Sequence, residues 1–193
     1  MARRRQGVTP VRRLTPLLAL LALLLTPVRA GAGVTVSTSE DHYVVEGSTR
    51  AQISRFYQQR ETRSAASARP SFKYSYTWRQ QGGMCTVTDV KVHLHLLYTY
   101  PRLASATGRR TAQWWNDTLK QLTIHERIHG DIARDAAKEL ERELLRIRDV
   151  PCSAIKEKVK YRAERVFQDH QRRQEDYDRL TEHGLKQERH RGD

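Results

Sequence analysis

Beyond residue 30 the sequence has no long apolar run, so nothing in that stretch is expected to enter a membrane. Cysteine is scarce: Cys85 and Cys152 are the only two, and no C-x-x-C spacing is available for zinc thiolates. A clustered basic patch with interleaved aromatics is also missing, which argues against nucleic acid as a partner. From Thr111 to Ile147 there is no proline and one glycine only, an absence that permits a single uninterrupted helix.

The first thirty residues read as a signal peptide. "MARRRQGVTPVRR" is a basic n-region, "LTPLLALLALLLTP" an apolar h-region, and "VRA" places small residues at Val28 and Ala30 for cleavage. The apolar run is short of the roughly 20 residues that a membrane-spanning helix needs. The mature chain therefore starts near Gly31 and is expected to be exported. Six arginines and no acids leave with the leader, so the formal charge falls from +13 to +7. The remaining charges of both signs are mixed along the C-terminal half, as on solvated helix faces, and support at most a weak attraction to anionic envelope surfaces. In an oxidising compartment the cysteine pair reads as one disulfide, Cys85–Cys152. Closing a loop of 67 residues stabilises by roughly 3–4 kcal/mol in the chain-entropy account.

Before Pro101 the pattern is that of strands. "VTVSTSEDHYVVEG" holds two short β-prone runs, and "GSTRAQISRFYQQR" opens a short helix with Ser48 or Thr49 as its N-cap. From Ala68 to Tyr98 a hairpin is expected around the turn "QQGG". Phe72, Tyr74, Tyr76 and Trp78 alternate onto one face of its first strand, and Val90, Val92, Leu94, Leu96 and Tyr98 onto one face of its second. His93 and His95 fall on the opposite, solvent side, where an H-x-H pair reads better as surface polarity than as a metal site. After Pro101 the period becomes helical. Trp115, Leu119, Leu122, Ile132, Ala133, Ala136, Leu140 and Leu144 make one stripe. Pro151 breaks it, Ser153 is the expected cap of the next helix, and Ile155, Val159, Ala163, Val166 and Phe167 make a second stripe. Two long helices with a short connection should pack antiparallel. The expected fold is a single α+β domain over 31–193: an antiparallel β-sheet (β-rich 33–100) packed against a long antiparallel helical hairpin (110–185).

His125 and His129 lie on the first helical stripe, one turn apart, and Glu126 is turned by about 100° from them. This is H-E-x-x-H, in which two imidazoles grip one zinc ion and the glutamate reaches the water beside it. A buried histidine pair satisfied by hydrogen bonds is the plainer alternative, but two imidazoles and an acid on a core-facing stripe are costly to bury without a shared partner. A catalytic zinc takes three protein ligands. Asp135 stands where a metzincin would place its third, but Ile132 replaces the glycine that would turn the chain back, and Asp131 points away from the histidine face as Asp135 does. Reflection about a turn near Val150 sets residue 129 opposite about 171, so His170 and His183 are both candidates from the second helix.

The leader, the element Tyr43 to Gly47 ("YVVEG"), Cys85 in a strand, Pro101, H-E-x-x-H and the terminal set Tyr177, Asp178, Thr181, His183, Gly184 together resemble one bacterial family. It is known as domain of unknown function 922, described as predicted secreted zinc-dependent proteases. The resemblance implies His125, Glu126 and His129 as the zinc-site core and favours His183 over His170 as third ligand. On that reading Glu126 is the general base and Tyr177 a donor to the oxyanion. Asp178 orients a ligand histidine, and His170 packs behind the site. The expected activity is zinc-assisted hydrolysis of a peptide bond in a protein or peptide substrate. Two rivals are an exported scaffold stiffened by zinc and a zinc amidase acting on cell-wall peptides.

Overall fold

The computed structural model describes residues 33–60 and 64–184; the leader and its cleavage site lie outside the described residues. The elements run β1 (Gly33–Val45), α1 (Arg50–Gln58), β2 (Ser67–Gln81), β3 (Met84–Leu103), α2 (Arg109–Leu145), β4 (Val150–Pro151), a 3-10 turn (Cys152–Ala154) and α3 (Ile155–Thr181). The sheet has the order β1-β3-β2, with β4 added to the start of β3. The α+β class is as expected, but the sheet is mixed. β2 and β3 form the antiparallel hairpin, whereas β1 runs parallel to β3, from Gly33 opposite Lys91 to Val45 opposite Leu103. Side-chain alternation has the same period in either direction, so the pattern carried no information on β1's orientation. β1 is also one strand rather than two, since its polar middle lies at an edge of the sheet, with solvent for those side chains.

The hairpin turns at Gly82 and Gly83, both at positive φ (57° and 79°), where glycine carries no steric penalty. Val90, Val92, Leu94, Leu96, Tyr98 and Tyr100 of β3 are buried on one face, and His93 and His95 are exposed on the other. β3 continues past Pro101 to Leu103. β2 ends its pairing at Ser67 opposite Thr99, so Pro101 has β1 alone as a neighbour and its missing N–H costs no ladder bond on the β2 side. Thr49 caps α1 in a reciprocal box: its hydroxyl accepts from Gln52 N–H at 3.3 Å, and Gln52 Oε1 accepts from Thr49 N–H at 3.2 Å.

α2 buries Ala133, Ala136, Ala137, Leu140 and Leu144 against the inner face of the sheet, and α3 adds Ile155, Val159, Ala163 and Val166 to the same core. Each fully buried Leu, Ile or Val side chain among these contributes about 1.5–3 kcal/mol relative to exposure. Ser153 does not cap α3. The 3-10 turn takes its place, and the N-cap is Ala154 with no side-chain bond. Cys152 within that turn is disulfide-bonded to Cys85 in β3, Cα–Cα 4.9 Å, as expected. α3 returns along α2, with Arg162 bonded to Glu143 at 2.7 Å and Arg173 to Glu139 at 3.1 Å. Among the described residues no helix is long and apolar enough to cross a membrane.

Candidate metal site

Near the end of α3 the two helices bring three donor atoms together. His125 Nε2 and His129 Nε2 are 3.1 Å apart, and Asp178 Oδ1 is 3.0 Å from each. Among the described residues this is the one group of three His, Cys, Asp or Glu donors close enough to share an ion. Around a tetrahedral zinc, donors bonded at roughly 2.0–2.1 Å lie about 3.3 Å from one another. The observed triangle is near that size, and two imidazoles with one carboxylate are a donor set that suits zinc.

The seat is built from periodicity. His125 and His129 follow each other by one turn on α2, and Val166, His170, Gln174 and Asp178 recur every four residues on the facing side of α3. The partner of His129 is residue 174 rather than 171. In a helix every Cα–Cβ bond tilts toward that helix's N-terminus. For an antiparallel pair this pushes the α2 side chain away from the connection and draws the α3 side chain toward it, so a given level is reached by later residues of α3.

Tyr177 stacks on His125, ring centroids 4.9 Å apart at 24°, and meets His129 edge-on at 5.0 Å. Glu126 is buried, and desolvation raises its carboxyl to about 7. His129 pulls the other way, Asp178 pushes it up, and the main-chain N–H of Ala68 in β2 donates to the carboxylate and lowers it. His170 is also buried, edge-on to Phe72 at 5.4 Å, and burial lowers its pKa, with Arg173 and His129 adding to the effect against Asp169.

His183 lies beyond the helix. α3 stops at Thr181, and Glu182, His183 and Gly184 all take positive φ (50°, 53° and 91°), a left-handed exit that begins two residues before the expected glycine. His183 N–H closes this exit on Asp178 O at 2.9 Å, and Gly184 comes to rest against His125. The His183 side chain is 82% exposed, with Nδ1 3.7 Å from Asp178 Oδ1. Thus the carboxylate expected to orient a ligand stands in the donor triangle, and the histidine expected as a ligand stands just outside it.

Gln174 was not singled out from sequence. It bonds His129 Nδ1 through Oε1, donates to His129 O at 3.0 Å, and reaches His170 Nε2 at 2.9 Å. The signal was its place midway between His170 and Asp178 on the α3 series. On the outer face of the sheet His93 meets Thr35, and His95 meets Ser37 and Ser39, in hydroxyl contacts suited to surface polarity.

No curated protein and no solved structure shows significant similarity to the chain. A bacterial family described as "Bacterial protein of unknown function (DUF922)" matches residues 40–184, a span that takes in H-E-x-x-H, Asp178, the left-handed exit and most of the core. The match covers most of the sequence, and the chain belongs to this family.

Proposed function

We propose that this protein is an exported zinc-dependent hydrolase of peptide bonds. The observation that carries the reading is the convergence of His125, His129 and Asp178 on one point, with the buried carboxyl of Glu126 on the neighbouring helical position. His125, His129 and Asp178 hold the metal in this proposal, and His183 stands beside Asp178 at the rim. Zinc supplies Lewis acidity toward a substrate carbonyl and a water molecule. Glu126 receives the water's proton and delivers it to the leaving amine. A buried carboxyl beside the donor triangle is placed to pass a proton between water and leaving group. Tyr177, held flat against His125, is the proposed donor to the developing oxyanion. The disulfide and the leader pattern support an oxidising, exported location. The net positive charge left after leader removal fits an anionic envelope setting.

The test is elemental analysis of the purified mature chain after extensive dialysis, paired with cleavage of a mixed peptide library. Wild type should hold about one zinc per molecule, as a single site of this type takes, and the His125→Ala/His129→Ala variant should hold none. Glu126→Gln should keep its zinc and lose cleavage. Zinc retained by the double variant refutes the site. Zinc present with no hydrolysis of peptides, including cell-wall peptides, leaves the scaffold reading in place of the hydrolase.

A further inference from the structure

The side-chain amide of Gln174 has two ends of similar shape and opposite hydrogen-bonding sense. One end faces the main-chain oxygen of His129 at 3.0 Å, with the Nε2 atom of His170 at 2.9 Å on the same side. A main-chain carbonyl only accepts, so the amide NH2 must occupy that end. The amide oxygen is then left facing Nδ1 of His129. That oxygen also only accepts, so the hydrogen between them has to belong to the imidazole. Nδ1 of His129 is therefore protonated, and in the neutral imidazole Nε2 carries the lone pair. This Nε2 is the atom that lies 3.0 Å from Asp178 Oδ1, a contact that needs a positive centre between the two atoms, either a metal ion or a second imidazole proton.

We infer that Gln174 is a positioning residue that fixes the tautomer of His129 in the metal-ready form, and that His170 in turn locks the direction of the Gln174 amide. The inference rests on the metal reading of the site. His170 accepts the second amide hydrogen with its Nε2 lone pair, which gives this buried histidine a part in the site without contact with the metal. The physical cost being avoided is clear. An imidazole free to carry its hydrogen on Nε2 must shift it before it can bind a cation, and each partner that prevents this raises affinity.

Two measurements decide the matter. In metal-free wild type with 15N-labelled imidazoles, held at about pH 9 so that an ordinary imidazole is neutral, long-range proton–nitrogen NMR should find the His129 hydrogen on Nδ1. Competition titration with zinc should then show Gln174→Leu, of similar size and without polar atoms, binding about 10–100-fold more weakly, with the His129 hydrogen redistributed toward Nε2. Gln174→Glu keeps an acceptor against Nδ1, so it should preserve the tautomer and bind zinc more tightly than the leucine variant. A residue with a merely structural part would change melting temperature without moving the tautomer. The inference is overturned if wild-type His129 carries its hydrogen on Nε2, a result that needs no variant to fold. It is equally overturned if folded Gln174→Leu matches wild type in tautomer and affinity. Failure of wild type to bind zinc at all would refute the metal reading instead, and the metal-free tautomer would still be measured.

Discussion

Gly130 follows His129 directly, and its missing side chain is used by the sheet. A Cβ there would lie 1.9 Å from the Tyr98 hydroxyl and 3.0 Å from the ring carbon that bears it. Alanine is a better helix former than glycine by about 1 kcal/mol, yet Tyr98 is buried and stacked on Tyr100 at 6.0 Å, so it has nowhere to retreat. Overpacking of this kind costs about 1–3 kcal/mol, and the clash should win. Gly130→Ala is expected to lower the melting temperature and, by displacing α2 next to His129, to weaken zinc binding; a calorimetric scan and a zinc titration check both. Asp178 and His183 separate in the same way. Asp178→Ala removes one corner of the donor triangle and should abolish stoichiometric zinc. His183→Ala should cost no more than the about 10–100-fold typical of an outer partner. Loss of zinc in the histidine variant alone would return the third seat to His183.

At the scale of elements, the connection between the helices does more than reverse the chain. β4 adds to the start of β3, Cys152 N–H donates to Gly83 O at 3.1 Å, and the disulfide joins the same two segments. The start of α3 is thereby fixed to the hairpin end of the sheet. Intact mass with and without reductant should show no free thiol before reduction, and Cys85→Ser/Cys152→Ser should lose about 2–4 kcal/mol of stability in denaturant unfolding. Alkylation of both cysteines in the unreduced protein would contradict the bridge. Much at this scale was legible in the sequence. The hairpin faces, the two helical stripes and the cysteine pair followed from periods of two and 3.6 and from scarcity. The α3 cap was not legible, because a 3-10 turn supported by β4 and the disulfide replaced the hydroxyl cap that Ser153 offered. Nor was the exit at Glu182 and His183, since left-handed backbone at residues other than glycine is set by what the chain packs on and not by local preference.

For the molecule as a whole, stability and the site are linked through α3. One face of its first half is buried in the shared core, while its last turns reach α2 through Gln174, Tyr177 and Asp178 on His125 and His129. Metal binding should therefore stabilise the fold by mass action: free zinc at a hundred times Kd adds about 2.7 kcal/mol, and at about 2–4 °C per kcal/mol for this size of chain chelation should lower the melting temperature by about 5–10 °C. An unchanged melting temperature after complete zinc removal would place the metal outside this seat. The direction of β1 and the place of Asp178 as a corner of the donor triangle, rather than behind a ligand histidine, are whole-molecule facts, and they were the least legible. Both depend on how distant segments dock, which local pattern leaves open. H-E-x-x-H, by contrast, was readable because both histidines sit on one helix.

The place of Asp178 near the end of α3 has a consequence for how the protein is made. Chains are synthesised from the N-terminus, and a domain generally folds as a unit once its segments are present. The residues of the sheet and of α2 are synthesised before Asp178, so a growing chain holds His125 and His129 without the carboxylate that closes the triangle. A chain without Asp178 would offer a cation two imidazoles and no carboxylate. On the metal reading, firm capture of a cation would wait for the last helix to be translated and laid back along α2.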